Sequence, residues 1–165
     1  MRIKSKTFST QPEQKERQTQ NLIVAFVEPM ERLSVPKLPN GSHWVYEVKL
    51  DGYRAIAVKS AGTLNLFSRR QNSFNRQYPL VFEALADLPD NTVIDGEVVA
   101  LDETGRPDFN LLQHYRAEAS RLFYFVFDLL IYESRDFRQL PLMERRRILT
   151  STLRLQVAVT ENPNC

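Results

Sequence analysis

The chain has 165 residues and a formal charge of +2, and 42% of its residues are hydrophobic and 25% charged. This composition is typical of a globular domain with its own core, and it argues against a disordered or membrane-embedded chain. The small net charge does not by itself indicate a polyanionic partner, which a local basic patch would have to bind. The single cysteine, Cys165, fits a reducing compartment, and we expect neither a membrane span nor a secretion signal, hence a cytoplasmic protein.

The first part of the chain divides into two segments of different composition. Residues 1–20 are polar, rich in Gln, Lys, Ser and Thr, and lack helical or strand periodicity, which predicts a flexible tail. Residues 21–42 are apolar in short pieces broken by prolines, which predicts an irregular segment packed on a domain. We therefore expect a single domain over 21–165.

Strand and helix patterns share the remainder of the chain. The β-prone stretches alternate in polarity, or are rich in β-branched and aromatic residues, between turn signals. They are 44–50, 54–60, 64–68, 92–101 and 121–132, and the terminal LRLQVAVTENPNC also begins as a strand. Helical spacing of apolar residues predicts helices starting at Pro79, over 109–120 and over about 141–153. This order predicts an α+β fold with mainly antiparallel sheet and flanking helices.

The stretch YEVKLDGYRA, residues 46–55, gathers charge on one side of a predicted strand. Glu47, Lys49 and Asp51 are two apart, so in an extended chain their side chains share a face. A solvated row of ion pairs would satisfy this pattern, and such rows stabilise little. The alternative is a nucleophilic lysine at a strand end, where Gly52 lets a phosphate approach closely and nearby cations such as Arg54 favour the neutral amine.

Four motifs in order carry a resemblance to a known family. EVKLDGYR resembles the nucleotide-attachment motif KxDGxR of covalent nucleotidyltransferases, namely ATP-dependent DNA ligases, RNA ligases and capping enzymes. LFSRRQNSF, VIDGEVVALDETGRPDF and YFVFDLLIY resemble the motifs that follow, and PLMERRRIL resembles the helix after them. The sequences of these motifs most resemble those of the ligase module of bacterial end-joining ligases. The resemblance implies an ATP-grasp-like nucleotidyltransferase fold, that of the DNA ligase adenylation domain.

The resemblance also implies a role for each matching residue. Lys49 would attack the α-phosphate of ATP to give a lysyl-AMP adduct, and Glu47 would read the adenine amino group. Arg54 and Arg69 would contact ribose or phosphate. The remaining implied contacts are those of Glu97 with the ribose and Mg²⁺, and of Phe127 with the adenine ring. The aromatic run itself, apart from the resemblance, predicts that Phe123 and Phe125 are core residues.

The implied partners follow from the same resemblance. They are nicked double-stranded DNA and other end-joining or repair proteins, with no membrane partner. Complete ligases continue through a Glu-Gly motif, a paired-lysine motif and an oligonucleotide-binding domain, which these 165 residues lack. We therefore expect an adenylation domain incomplete at its C-terminus, with at most weak adenylation activity and an exposed sheet edge that favours a dimer. The alternatives are an RNA ligase or capping-type nucleotidyltransferase, and a non-catalytic nucleotide- or DNA-binding remnant.

Overall fold

The structure, a computed structural model, describes residues 24–31, 33–41, 44, 46, 49–115, 121–153 and 158–159. Its strands are β1 (Tyr53–Ser60), β2 (Thr63–Ser68), β3 (Thr92–Leu101), β4 (Arg121–Tyr132), β5 (Arg135–Asp136) and β6 (Ala158–Val159). Its helices are α1 (Pro79–Ala84), α2 (Phe109–Gln113) and α3 (Leu142–Thr152).

The described strands form one sheet in the order β2-β1-β3-β4-β5, with β6 also paired to β4, and every described pair is antiparallel. The predicted α+β class with antiparallel sheet is confirmed. The first two strands form a short hairpin. The turn between β1 and β2 is Ala61-Gly62, and both residues have positive φ, as two-residue hairpin turns require.

The sheet has a hydrophobic cluster on each face. The larger cluster packs the side chains of β1 to β4 against the three helices, and it includes Ala57, Leu66, Val98 and Leu122 from the strands. The helices present apolar residues to it at helical spacing, as the sequence predicted. These residues are Val81, Leu112, Ile148 and Leu149, and Leu85 joins them directly after the end of α1.

The smaller cluster covers part of the other face of the sheet. Ile56 and Val58 of β1 and Val93 of β3 are buried there beneath the segment 24–27. Val24 donates its backbone N–H to Ser60 Oγ at 2.9 Å, which fastens the start of this segment to the sheet. By strand alternation, Arg54 lies on the same face as Ile56, and this face carries the candidate site.

The helix boundaries have local causes. Pro79 occupies the first turn of α1, where its missing N–H is not needed. Asp108 caps α2 by accepting the backbone N–H groups of Asn110 and Leu111. The predicted helix over 109–120 is wrong at its end, because α2 stops at Gln113; residues 116–120 lie outside the described residues.

The predicted strand over 44–50 is wrong for the residues that the structure describes there. Residues 44, 46, 49 and 50 are in no strand, and Trp44 and Tyr46 are exposed. β1 pairs with β3 only as far as Tyr53–Val98, and the next stretch of that β3 edge is occupied by the chain at 107–108. Because Asp108 donates its N–H to Ala100 at 2.9 Å, the chain before Gly52 finds no free edge there to pair with.

Candidate active site

An open cavity of about 1050 Å³ lies where the start of β1 meets β3, β4 and α3. Its volume matches that of clefts that bind nucleotide-sized ligands. Five of the six residues predicted for the site line this cavity: Lys49, Arg54, Arg69, Glu97 and Phe127. The sixth, Glu47, lies outside the described residues. Residues as far apart in the sequence as Lys49 and Phe127, separated by 78 positions, thus line one cleft.

Lys49 lies at the mouth of the cavity on an irregular segment. Its side chain is 67% exposed, and Nζ lies 3.9 Å from Oδ1 of Asp51, which is equally open to water. An ion pair of this kind holds a lysine only weakly, so Lys49 is available to a ligand in the cleft. The alternative prediction of a solvated row of ion pairs therefore holds for Lys49 and Asp51. Lys49 nevertheless lines the cavity.

Gly52 fixes where the Lys49 segment joins the sheet. A Cβ atom added at this glycine would lie 2.3 Å from the carbonyl oxygen of Val98 and 3.0 Å from Cγ of Glu97. Only glycine allows this approach, because a side chain would meet the backbone of β3. Lys49, three residues earlier, lines the same cavity as Glu97 in the middle of β3.

Arg54 is engaged by protein groups on several sides. Nε and Nη2 donate to the two carboxylate oxygens of Asp95 at 3.0 and 2.6 Å, and Nη1 donates to the carbonyl of Met30 at 2.6 Å. Burial raises the pKa of Asp95, whose side chain is only 3% exposed, and the guanidinium of Arg54 limits that rise. The guanidinium carbon also lies 5.6 Å from the centroid of the Phe127 ring.

Arg69 and Arg70 project from the turn after β2. The turn is closed by the Ser68 N–H donating to Asn72 O at 2.8 Å and by the Asn72 N–H donating to Ser68 Oγ at 3.0 Å. Arg69 Nη2 binds the carboxylate of Glu31, and both of these side chains are largely exposed. The turn therefore presents two cations to the cavity, one of them paired with the segment 24–31.

Glu97 is half-buried in β3, opposite Arg54 on one side and Phe125 on the other. Its negative charge, together with that of Asp95, raises the pKa of Arg54 against the effect of burial. Among the described residues no three His, Cys, Asp or Glu side chains cluster so as to hold a metal ion. Mg²⁺ in nucleotide sites commonly uses one or two carboxylates together with the phosphates, so the carboxylate of Glu97 is compatible with such a site.

Phe127 owes its position to an irregularity in the sheet. Asp95 of β3 pairs with Asp128, but the next residue, Gly96, pairs with Val126, so Phe127 has no partner across the ladder. An extra residue of this kind re-aims a side chain and bends the strand, and such bulges occur beside active sites. The ring reaches the cavity and the face of Arg54 as a result.

Helix α3 holds the bulged part of β4 in place. Arg145 donates from Nε and Nη2 to the two oxygens of Asp128, both at 2.7 Å, and from Nη1 to the carbonyl of Leu140 at 2.6 Å. Arg146 donates from Nε to the carbonyl of Phe127 at 3.1 Å and also lines the cavity. Sequence reasoning missed both arginines; the run of three arginines in PLMERRRIL was the only signal of them.

The prediction that Phe125 is a core residue is wrong. It is 38% exposed, lines the cavity and stacks on Phe123 with ring centroids 5.8 Å apart. The alternation of β4 explains this, because Leu122 and Tyr124 take the larger core and leave Phe123 and Phe125 on the other face. A run of aromatic residues did not show which of its members face a ligand.

The antiparallel sheet and the lysine-containing cleft agree with the nucleotidyltransferase class that the sequence predicted. Residues 26–164 match the family model described as the ATP dependent DNA ligase domain. The chain therefore belongs to the ATP dependent DNA ligase domain family, and the predicted resemblance is confirmed.

Individual relatives agree with this assignment. The chain is 38% identical over 126 residues to the multifunctional non-homologous end joining protein LigD of Pseudomonas aeruginosa, which covers 74% of this chain and 15% of that protein. It is 32% identical over 129 residues to the SPbeta prophage-derived DNA ligase-like protein LigB of Bacillus subtilis, covering 76% of this chain and 47% of that protein. The chain thus spans less than half the length of either relative.

A solved structure of mycobacterial DNA ligase D complexed with ATP and MES shares the fold. The TM-score is 0.56 with 32% identity, and the match covers 64% of this chain and 35% of that one. This supports the nucleotidyltransferase fold for the described sheet. No helix among the described residues is long and apolar enough to cross a membrane.

Proposed function

We propose that this chain carries the adenylation site of an ATP-dependent DNA ligase, with Lys49 as the nucleophile. The observation that supports the proposal most is the cleft itself, which brings Lys49, Arg69, Glu97 and Phe127 together although they lie on four different segments. The cleft has the mixture that a nucleotide requires, namely cations for phosphates, a carboxylate for hydroxyls and an aromatic ring for a base.

The proposed first step uses the neutral amine of Lys49. Its Nζ attacks the α-phosphorus of ATP, an N–P bond forms, and the bond from that phosphorus to the bridging oxygen of the β-phosphate breaks. Pyrophosphate leaves with the electron pair, and the amine loses a proton to solvent. Arg69 and Arg70, at the turn after β2, lie where they would draw the phosphate chain into the cleft.

The other ligand contacts follow from the positions of side chains in the cleft. Phe127 would stack on the adenine, and Glu97 would accept hydrogen bonds from the ribose hydroxyls. Bound Mg²⁺ would neutralise charge on the phosphates, with Glu97 as the carboxylate that would help to hold it. Glu47, two residues before Lys49, remains the predicted reader of the adenine amino group.

We propose nicked double-stranded DNA as the acceptor. The 5′-phosphate oxygen at the nick attacks the adenylyl phosphorus and Lys49 leaves; the 3′-hydroxyl then attacks the 5′-phosphorus and AMP leaves. Other end-joining or repair proteins remain predicted partners. A dimer through a sheet edge also remains a prediction, which sedimentation equilibrium of the purified chain would test.

Mass spectrometry of the intact chain after incubation with ATP and Mg²⁺ tests the proposal. We expect an added AMP that maps to Lys49, that is absent from Lys49→Ala, and that is retained in Lys37→Ala, which changes an exposed lysine away from the cleft. An adduct that persists in Lys49→Ala contradicts the choice of nucleophile. ATP binding without any adduct favours a non-catalytic nucleotide-binding role, and transfer from GTP alone favours a capping-type enzyme.

A further inference from the structure

Arg54 contacts more of the site than any ligand role requires. It belongs to β1, its carboxylate partner Asp95 belongs to β3, and its carbonyl partner Met30 belongs to the segment that crosses the face of the sheet. Its guanidinium also covers the Phe127 ring of β4. Four separate segments of the chain therefore meet at one side chain.

The geometry at Asp95 shows that this arrangement is rigid. The guanidinium and the carboxylate form two parallel hydrogen bonds of 3.0 and 2.6 Å, and Asp95 is almost fully buried. A planar fork fixed at two atoms fixes the plane of the whole guanidinium, unlike a lysine ammonium. Three of the five N–H donors of Arg54 are used by protein groups, one each on Nε, Nη1 and Nη2.

The Phe127 ring lies within reach of this fixed guanidinium. The ring belongs to the bulged residue of β4, which has no partner in the ladder, so the regular sheet does not set its orientation. The Arg54 guanidinium lies over the ring at 5.6 Å, within the range of a favourable cation–π contact.

We propose that Arg54 is a positioning residue, which Asp95 and the carbonyl of Met30 fix in place so that it orients the Phe127 ring for base stacking. This rests on the proposed nucleotide-binding function. It differs from the role expected from sequence, in which Arg54 itself contacts the ribose or phosphate. The two roles predict different changes in affinity when Arg54 is replaced. A contact with ribose or phosphate predicts a loss that depends on those groups, whereas positioning of the ring predicts a loss that depends on the base.

The test uses a variant that removes the guanidinium without leaving a buried charge. Arg54→Gln/Asp95→Asn replaces the ion pair by two neutral amides, whereas Arg54→Gln alone would leave Asp95 buried and unpaired. The matched control is Arg138→Gln/Asp136→Asn, the same exchange at an exposed two-bond pair outside the cavity. Calorimetric titration with adenosine, AMP and 2′,3′-dideoxyadenosine gives the affinities, and circular dichroism confirms folding.

We expect the Arg54/Asp95 variant to lose affinity for all three probes by the same factor, about tenfold, as expected for a desolvated cation–π contact and its support. When Phe127→Leu is already present, adding Arg54→Gln/Asp95→Asn should change the affinity for adenosine by less than about twofold, because the ring that Arg54 would orient is absent. The control pair should change nothing.

Three results would overturn the assignment. A larger loss for AMP than for adenosine would show a phosphate contact, a loss that disappears with 2′,3′-dideoxyadenosine would show a ribose contact, and a loss that persists in Phe127→Leu would exclude action through the ring. If the unchanged chain binds none of the probes, the proposed function fails instead.

A measurement without ligand keeps the assignment testable in that event. The protein is labelled with ¹³C-phenylalanine, and the ring resonances of Phe127 are assigned by their absence from Phe127→Leu. These resonances should shift in Arg54→Gln/Asp95→Asn and should not shift in the control variant. Unchanged Phe127 resonances would show that Arg54 does not position the ring.

Discussion

The two sides of the cleft are built in opposite ways. None of the described residues between Leu33 and Leu50 is buried, and Lys49 is reached through this irregular segment. On the other side, Arg54, Glu97 and Phe127 belong to strands of the sheet, and each is followed in sequence by a buried residue. A segment with few buried side chains opens at low cost, whereas a residue in a packed sheet keeps its position.

This difference suits a group that must change bonding partners. In the proposed cycle Lys49 is joined to phosphorus and later released, so it gains from a segment that can adjust. Base and ribose have to be held in one orientation, and groups supported by a rigid sheet do this with little loss of conformational entropy. Substitutions on the two sides should therefore separate stability from chemistry.

The largest effect on stability is expected at the support of β4. Arg145→Met would leave the carboxylate of Asp128 buried without its partner, and we expect a loss of about 4 kcal/mol in the free energy of unfolding. Urea denaturation followed by circular dichroism measures it. Arg138→Met, which breaks an exposed pair with Asp136, should cost under about 1 kcal/mol. Equal losses in the two variants would show that burial of the pair is not what matters.

A smaller effect is expected where the two sides of the cleft join. Gly52→Ala would drive a methyl group against the backbone of β3, at a cost of about 2 kcal/mol, and should also reduce AMP labelling of Lys49. Gly105→Ala is the comparison, since its methyl would meet nothing within 4 Å and the cost of about 1 kcal/mol comes only from its φ of +80°. Labelling that survives Gly52→Ala would contradict the importance of this junction.

Lys49→Ala should leave stability almost unchanged. The side chain is exposed and its ion pair with Asp51 is long, so we expect a change of less than about 0.5 kcal/mol in the free energy of unfolding. The same variant should lose AMP labelling completely. A marked loss of stability would place Lys49 in the packed part of the molecule and remove the contrast between the two sides.

The smallest effect is expected from the turn at 102–107, outside the cleft. Hydrogen bonds from Arg106 N–H and from Thr104 lower the pKa of Asp102. A carboxyl with a lowered pKa in the folded state stabilises the fold above its unfolded pKa and stops doing so as the pH falls through the folded value. From about pH 5 downwards, unfolding free energy should therefore fall less steeply in Asp102→Asn than in the unchanged chain. Parallel curves would contradict this role.

Much of the sheet could be predicted from the sequence because its signals are local. Alternation and turn residues define β1, β2 and β3 to within a residue or two, and Pro79 marks the start of α1. The cleft residues were also predicted, through the four motifs and not through their spacing. Family resemblance carried information that periodicity does not contain.

What was missed depends on contacts between distant segments. The stretch 44–50 alternates like a strand, but pairing was decided by residues 107–108, some 60 positions later, which occupy the β3 edge. The partners of Arg54 lie 24 and 41 positions away, and no local pattern distinguishes them from ligand atoms. Phe125 was predicted to be a core residue because a run of aromatic residues does not show which face of β4 each member occupies.

The unpaired residue at Phe127 has a consequence for how such a site can change over time. Deleting one residue at this place would remove the irregularity opposite Asp95 and Gly96 and would improve backbone pairing there, while withdrawing the aromatic ring from the cleft. If the proposed function is correct, a gain in regularity of the sheet would thus be a loss of nucleotide binding. A single-codon deletion in β4 is therefore a mutation that selection for folding alone would accept, and only selection for the nucleotide would remove it.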